Sequence, residues 1–90
     1  MNTFPIILDG SKFDWYNASA AHGMGSISDH PDFPQDGRAP ERVGVRSHKT
    51  GKVVAFKFVE VADDGEGNVA LNYEGTLPDG RYCALSIWAD

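Results

Sequence analysis

The ten residues Lys52-Val-Val-Ala-Phe-Lys-Phe-Val-Glu-Val61 decide how the rest of the chain is read. Val54, Phe56 and Phe58 recur at every second position, and Val53, Ala55, Val59 and Val61 fill alternate ones. A period of two is the spacing of side chains on a strand, and β-branched and aromatic residues suit its pleated surface. Because both faces are largely apolar, the segment is expected to lie centrally in a sheet and to be buried on both sides.

The neighbours on either side extend this into a sheet. Upstream, Arg42-Val-Gly-Val-Arg-Ser47 sets Val43 and Val45 against Arg42, Gly44 and Arg46, the pattern of a half-buried strand. His48-Lys-Thr-Gly51 is the turn between them, with Gly51 free to take the positive φ that hairpin loops often need. Downstream, Ala62-Asp-Asp-Gly-Glu-Gly-Asn68 is a polar tip, and Val69, Leu71 and Tyr73 then alternate with Ala70, Asn72 and Glu74. Leu77-Pro-Asp-Gly80 suits a type I or II turn. The last strand, Arg81 to Trp88, sets Cys83, Leu85 and Ile87 against Tyr82, Ala84, Ser86 and Trp88. Residues 42–88 therefore read as a four-stranded antiparallel meander.

The N-terminal part is less regular. Phe4 to Leu8, the turn pair Asp9-Gly10 and Lys12 to Tyr16 suggest a hairpin, with Pro5 restricting its first strand to an edge. Asn17-Ala-Ser-Ala-Ala-His22 suits a short helical turn stopped by Gly23. Residues 23–41 carry no period and hold Pro31, Pro34 and Pro40, which reads as a long irregular loop pinned to the sheet by Ile27 and Phe33. The expected architecture is mainly β, with a β-rich α+β arrangement as its variant. It is one domain over residues 1–90. It comprises a hairpin and helical turn over 1–22, an irregular loop over 23–41, and the meander, for about five to six strands in all.

Charge is the least random feature. The 90 residues carry a formal net charge of −5, which disfavours non-specific binding to phosphate backbones or anionic lipid. Within residues 42–57, Arg42, Arg46, Lys49, Lys52 and Lys57 occur without a single acid. The flanks are acidic, with Asp9, Asp14, Asp29, Asp32, Asp36 and Glu41 on one side and Glu60, Asp63, Asp64, Glu66, Glu74, Asp79 and Asp90 on the other. The longest uninterrupted apolar run, Val53 to Phe56, is too short to cross a bilayer, and no stretch resembles a secretory leader, so a cytoplasmic location is expected.

Catalytic and metal constellations are weak. His22, Asp29, His30, Asp32 and Asp36 bring imidazole and carboxylate groups to one segment, but their spacing follows no ligand rule. The single cysteine, Cys83, sits mid-strand in an apolar row, where a thiol serves as a small core residue. The 63–68 tip is acidic but too short for a helix-flanked calcium loop. No catalytic residue, metal or cofactor is assigned.

Two charged surfaces remain. Asp29, Asp32 and Asp36 in the loop, with Asp63, Asp64 and Glu66 at the tip, form an acidic set suited to a cationic surface on another protein. Arg42, Arg46, Lys49 and Lys52 form the alternative, a β-ribbon for nucleic acid. In general profile the chain looks like small phage or mobile-element proteins that bind and block a larger host machine, anti-CRISPR proteins among them. That resemblance is one of type and implies a non-enzymatic inhibitor competing with nucleic acid. A virion or assembly component is the third reading, and an exposed edge strand would allow a homodimer in place of a monomer.

Overall fold

The structure, a computed structural model, describes residues 4–12, 21–35, 38–48, 50–77 and 80–89. Its elements are β1 (Ile7–Asp9), β2 (Ala21–Ser26), β3 (Arg42–Arg46), β4 (Val53–Asp63), β5 (Val69–Thr76) and β6 (Tyr82–Trp88). One-turn 3-10 segments at Gly10–Lys12 and Ile27–Asp29 follow β1 and β2. The protein is mainly β, and all six strands join one sheet in the order β1-β3-β4-β5-β6-β2.

The meander is present as its alternation implies. β3, β4, β5 and β6 pair antiparallel in chain order, with Val45 opposite Val54, Phe58 opposite Tyr73 and Tyr73 opposite Leu85. Gly51 turns the chain between β3 and β4 at a φ of 74°, a conformation that costs a residue with a Cβ but not glycine. One face of these strands is interior: Val43, Val45, Val54, Phe56, Leu71, Tyr73, Cys83, Leu85 and Ile87 are all buried. Tyr73 packs edge-on against the half-buried Phe58, with ring centroids 5.5 Å apart, and its hydroxyl donates to the Pro40 carbonyl at 2.8 Å. Burial pushes this phenol above its ordinary titration range.

β4 departs from expectation in two ways. It is central, between β3 and β5, but not buried on both sides. Val53 and Val59 are 37% and 49% exposed, because no second layer among the described residues covers the outer face, and Val61 is 52% exposed beyond the end of β3. In addition, the register slips between Phe58 and Glu60, so that Val59 has no opposite number in β5. The extra residue is a β-bulge, and it reverses the alternation beyond it. Val61 therefore stands opposite Leu71 on the inner face, while Val53 and Ala55 belong to the outer one.

The N-terminal third is arranged differently from the expected hairpin and loop. β1 does not return antiparallel on itself but pairs parallel with β3, with Leu8 opposite Val45. Asp9-Gly10 does turn the chain: the Ser11 N–H donates to Asp9 Oδ1 at 2.9 Å, and the backbone enters the 3-10 segment. The second arm expected for the hairpin, beyond Lys12, lies outside the described residues, as do residues 17–20 of the expected helical turn. Ala21 and His22, also assigned to that turn, are instead in β2, which pairs parallel with β6 along the opposite edge. Residues 23–26 likewise belong to β2, so the irregular stretch starts later than the sequence suggests. The sheet is thus mixed, with an antiparallel centre and two parallel edges, and it curls far enough to bring β2 against the segment that follows β1.

Ile27 and Phe33 fill the concave side at 2% and 1% exposure, as their tethering role requires, with His30 buried between them at 3%. The segment is held as a unit. His30 N–H donates to Ile27 O, Phe33 N–H donates to His30 O, and Gln35 Nε2 lies 2.9 to 3.3 Å from the carbonyls of Ile27, His30 and Phe33.

Close packing across the centre makes one position testable. A Cβ on Gly75 would fall 2.4 Å from the Ala55 carbonyl oxygen and 3.1 Å from the Phe56 ring, so the sheet would have to move. Gly75→Ala is expected to lower the unfolding free energy by about 1–3 kcal/mol, read as a lower denaturant midpoint. An unchanged midpoint would refute the close approach.

Candidate functional site

Docking the 27–35 segment against β1 brings two of the expected site residues together with a third carboxylate. Ile7, Leu8 and Asp9 of β1 and residues 29–32 line a cavity of about 300 Å³. Asp29 and Asp32, both exposed, stand on its wall together with Asp9, which sequence reading did not select. Asp29 also accepts a hydrogen bond from the Ser26 N–H at 3.4 Å, which fixes it at the start of the 3-10 segment. Leu8, 2% exposed, Ile7 and Pro31 supply its apolar lining, and His30, 3% exposed, is its remaining polar member. Asp36 lies outside the described residues. The signal for Asp9 was its place after an edge strand, but which strand that edge adjoins is settled only by long-range pairing.

Asp63, Asp64 and Glu66 do not line this cavity; they share the tip between β4 and β5. Two of them are occupied by the turn itself. Asp63 Oδ1 accepts from Gly65 N–H at 2.8 Å. Asp64 Oδ1 accepts from the N–H groups of Glu66 at 2.7 Å and Asn68 at 3.3 Å, while Asp64 Oδ2 accepts from Asn68 Nδ2 at 2.7 Å. These bonds are of the kind that fold Asx turns. The Asn68 side-chain amide, followed by the Glu66 N–H, holds the Asp64 carboxyl below its usual range. Glu66 is exposed and makes no side-chain hydrogen bond or ion pair among the described residues. It is the tip carboxylate whose charge is separable from the turn.

The basic alternative is interrupted by acids. Arg42, Lys57 and Glu74 stand side by side across β3, β4 and β5. Arg46 stands opposite Asp9 of β1 and Val53 of β4. Lys52 is exposed just before β4, and Lys49 lies outside the described residues. Glu74 and Asp9 thus stand among the cations that a phosphate backbone would have to meet. On the same outer face Tyr82 and Trp88 are 50% and 37% exposed, so these aromatics are not spent on the core.

Other candidate chemistry is inert or dispersed. Burial pushes the Cys83 thiol up to about 11, which keeps it protonated and unreactive at neutral pH. Among the described residues no three His, Cys, Asp or Glu side chains converge as metal ligands. No helix of the described residues is long and apolar enough to cross a membrane.

Two outcomes follow from this geometry. Gln35→Met keeps side-chain bulk but removes the amide donors to three carbonyls, and is expected to lower stability by about 1–3 kcal/mol in urea titration. No loss would mean the clamp is not what holds the segment. For the tip, a carboxyl lowered in the folded state adds order above its ordinary pKa and loses it as pH falls through the folded value. Asn68→Ala is therefore expected to raise the Asp64 midpoint in an NMR pH titration, and a midpoint that stays put would contradict the hydrogen-bond assignment.

Comparison with protein-family models, with curated proteins and with solved structures finds no match for this chain.

Proposed function

We propose that the protein is a non-enzymatic binding module that engages a cationic surface of another protein. The observation that carries this reading is the cavity lining, where Asp9, Asp29 and Asp32 from two separate segments stand beside Ile7, Leu8 and Pro31. A lysine or arginine side chain has both parts needed to fill it, an aliphatic stem and a cationic head. The tip carboxylates add an acidic region, and the net charge of −5 steers cationic partners towards the molecule. Basic protein surfaces are often nucleic-acid channels, so occupancy of such a surface would inhibit a nucleic-acid-handling machine by competition. This is the activity the resemblance in type implies. The nucleic-acid reading through Arg42, Arg46 and Lys52 is the weaker one, because Asp9 and Glu74 stand among those cations.

The test is a titration with a fluorescent flexible glycine-lysine peptide at two salt concentrations. Asp29→Lys with Asp32→Lys is expected to weaken binding by roughly tenfold or more beyond the effect of Glu41→Lys with Glu74→Lys. Both pairs change net charge equally, so equal weakening would assign the binding to overall charge and remove the cavity from the mechanism. Tighter binding of a labelled DNA duplex than of the peptide would favour the basic ribbon instead.

A further inference from the structure

β3 covers only the first half of β4. Their register runs from Arg46 opposite Val53 to Arg42 opposite Lys57, and the last tie is the Phe58 N–H donating to the Glu41 carbonyl at 2.8 Å. Beyond it, residues 59–63 of β4 have β5 on one side and, among the described residues, no strand on the other. The direction of their backbone groups follows from the tip. Asp64 N–H donates across to the Asn68 carbonyl, and in an antiparallel pair successive residues address opposite neighbours. Val61 and Asp63 therefore aim both N–H and C=O at the open side, away from β5.

The side chains along this edge are sorted by the bulge. Val61, 52% exposed, lies on the inner face in line with Leu71, while Glu60 and Ala62 lie on the outer face with Asn72 and Ala70. Val59, 49% exposed, leads into the stretch, and Asp63, Asp64 and Glu66 close it. A strand added here would meet Val61 and then Asp63 on the inner face, and Glu60 and then Ala62 on the outer one. An aliphatic residue opposite Val61 and a cation opposite Glu60 therefore stand next to each other in its sequence. A second copy is a poor occupant, since pairing residues 59–63 with themselves would put Glu60 and Asp63 of both copies on one short ladder, a concentration of like charge.

We propose that this open half of β4 is a β-augmentation site for an extended peptide segment that alternates aliphatic and lysine or arginine residues. Backbone bonds to Val61 and Asp63 supply affinity, and Val61 and Glu60 select the alternation. The inference deepens the proposed binding of cationic protein surfaces by giving it a second, strand-like mode at the tip.

The probe is a labelled, end-blocked peptide of about eight alternating lysine and valine residues, long enough to span the edge at about 3.3 Å per residue. Its controls are the same peptide N-methylated at the central amides and a glycine-lysine peptide of equal charge. The lysine-valine peptide is expected to bind the full chain at least about tenfold more tightly than either control. At saturation, amide exchange at Val61 and Asp63 is expected to slow by a similar factor, with little change at Ala62. Val61→Pro removes an outward N–H without breaking a bond to β5 and is expected to abolish the preference over the N-methylated peptide. The exchange measurement on the unaltered chain decides the matter if that variant fails to fold. Equal binding of the N-methylated and unmethylated peptides overturns the inference, as does protection of Val61 and Asp63 that grows with protein concentration in the absence of peptide. Equal binding that still responds to reversal of Asp29 and Asp32 leaves the cavity reading intact. Tight lysine-valine binding indifferent to that reversal retains the strand site and removes the cavity.

Discussion

A single sheet has two faces and this chain has one core, so the fold depends on packing Ile27 and Phe33 into the concave side. Without that segment the apolar row from Val43 to Ile87 would face water. Apolar burial yields on the order of 25 cal/mol per Å², and large aromatic and aliphatic side chains such as Phe33 and Ile27 dominate such a term. Curling of the sheet and filling by the loop are therefore one solution to one problem. The hydrogen bonds of Gln35 to three carbonyls stabilise the filler, and the Tyr73 hydroxyl on Pro40 fixes the far end of the same crossover.

The acidic cavity is a by-product of that solution with chemical consequences. Where the filler passes β1, polar residues at its surface meet the end of an edge strand, and Asp9 lines the same cavity as Asp29 and Asp32 although it is distant from them in sequence. The tip differs in origin: its carboxylates come from one turn, on which Asp63 and Asp64 spend oxygens much as Asp9 does on the Ser11 N–H and Asp29 on the Ser26 N–H.

The meander was legible because its information is local. Alternation assigns faces in β3, β5 and β6, and glycine-bearing turns such as 48–51 join strands that are adjacent in the sheet. Ile27 and Phe33 were legible as tethers because large apolar residues in a polar loop need a place to go. The bulge at Val59 was not, since nothing in Phe-Val-Glu distinguishes a regular strand from one with an inserted residue. Burial of both faces of β4 failed for a related reason: apolar composition shows what a surface would accept, not whether the chain has a layer to cover it. The parallel edges were hidden because turn residues such as Asp9-Gly10 specify a change of direction but not a partner. The cavity inherits that uncertainty, as Asp9 joins it only through the pairing of β1 with β3.

The placement of β1 and β2 on opposite margins also orders events during synthesis. β2 is made before β3, β4, β5 and β6, yet among the described residues the strand it pairs with is β6, the last of them in chain order. The ladder between Ala21–Ser26 and Cys83–Trp88, which helps to close the concave side around Ile27, forms only once Trp88 has been translated. Long-range pairing of this sort slows folding, because chain closure must be completed before contacts reward it. Residues 27–33 are therefore made well before the strand that completes the sheet around them, so their burial is a late step of folding.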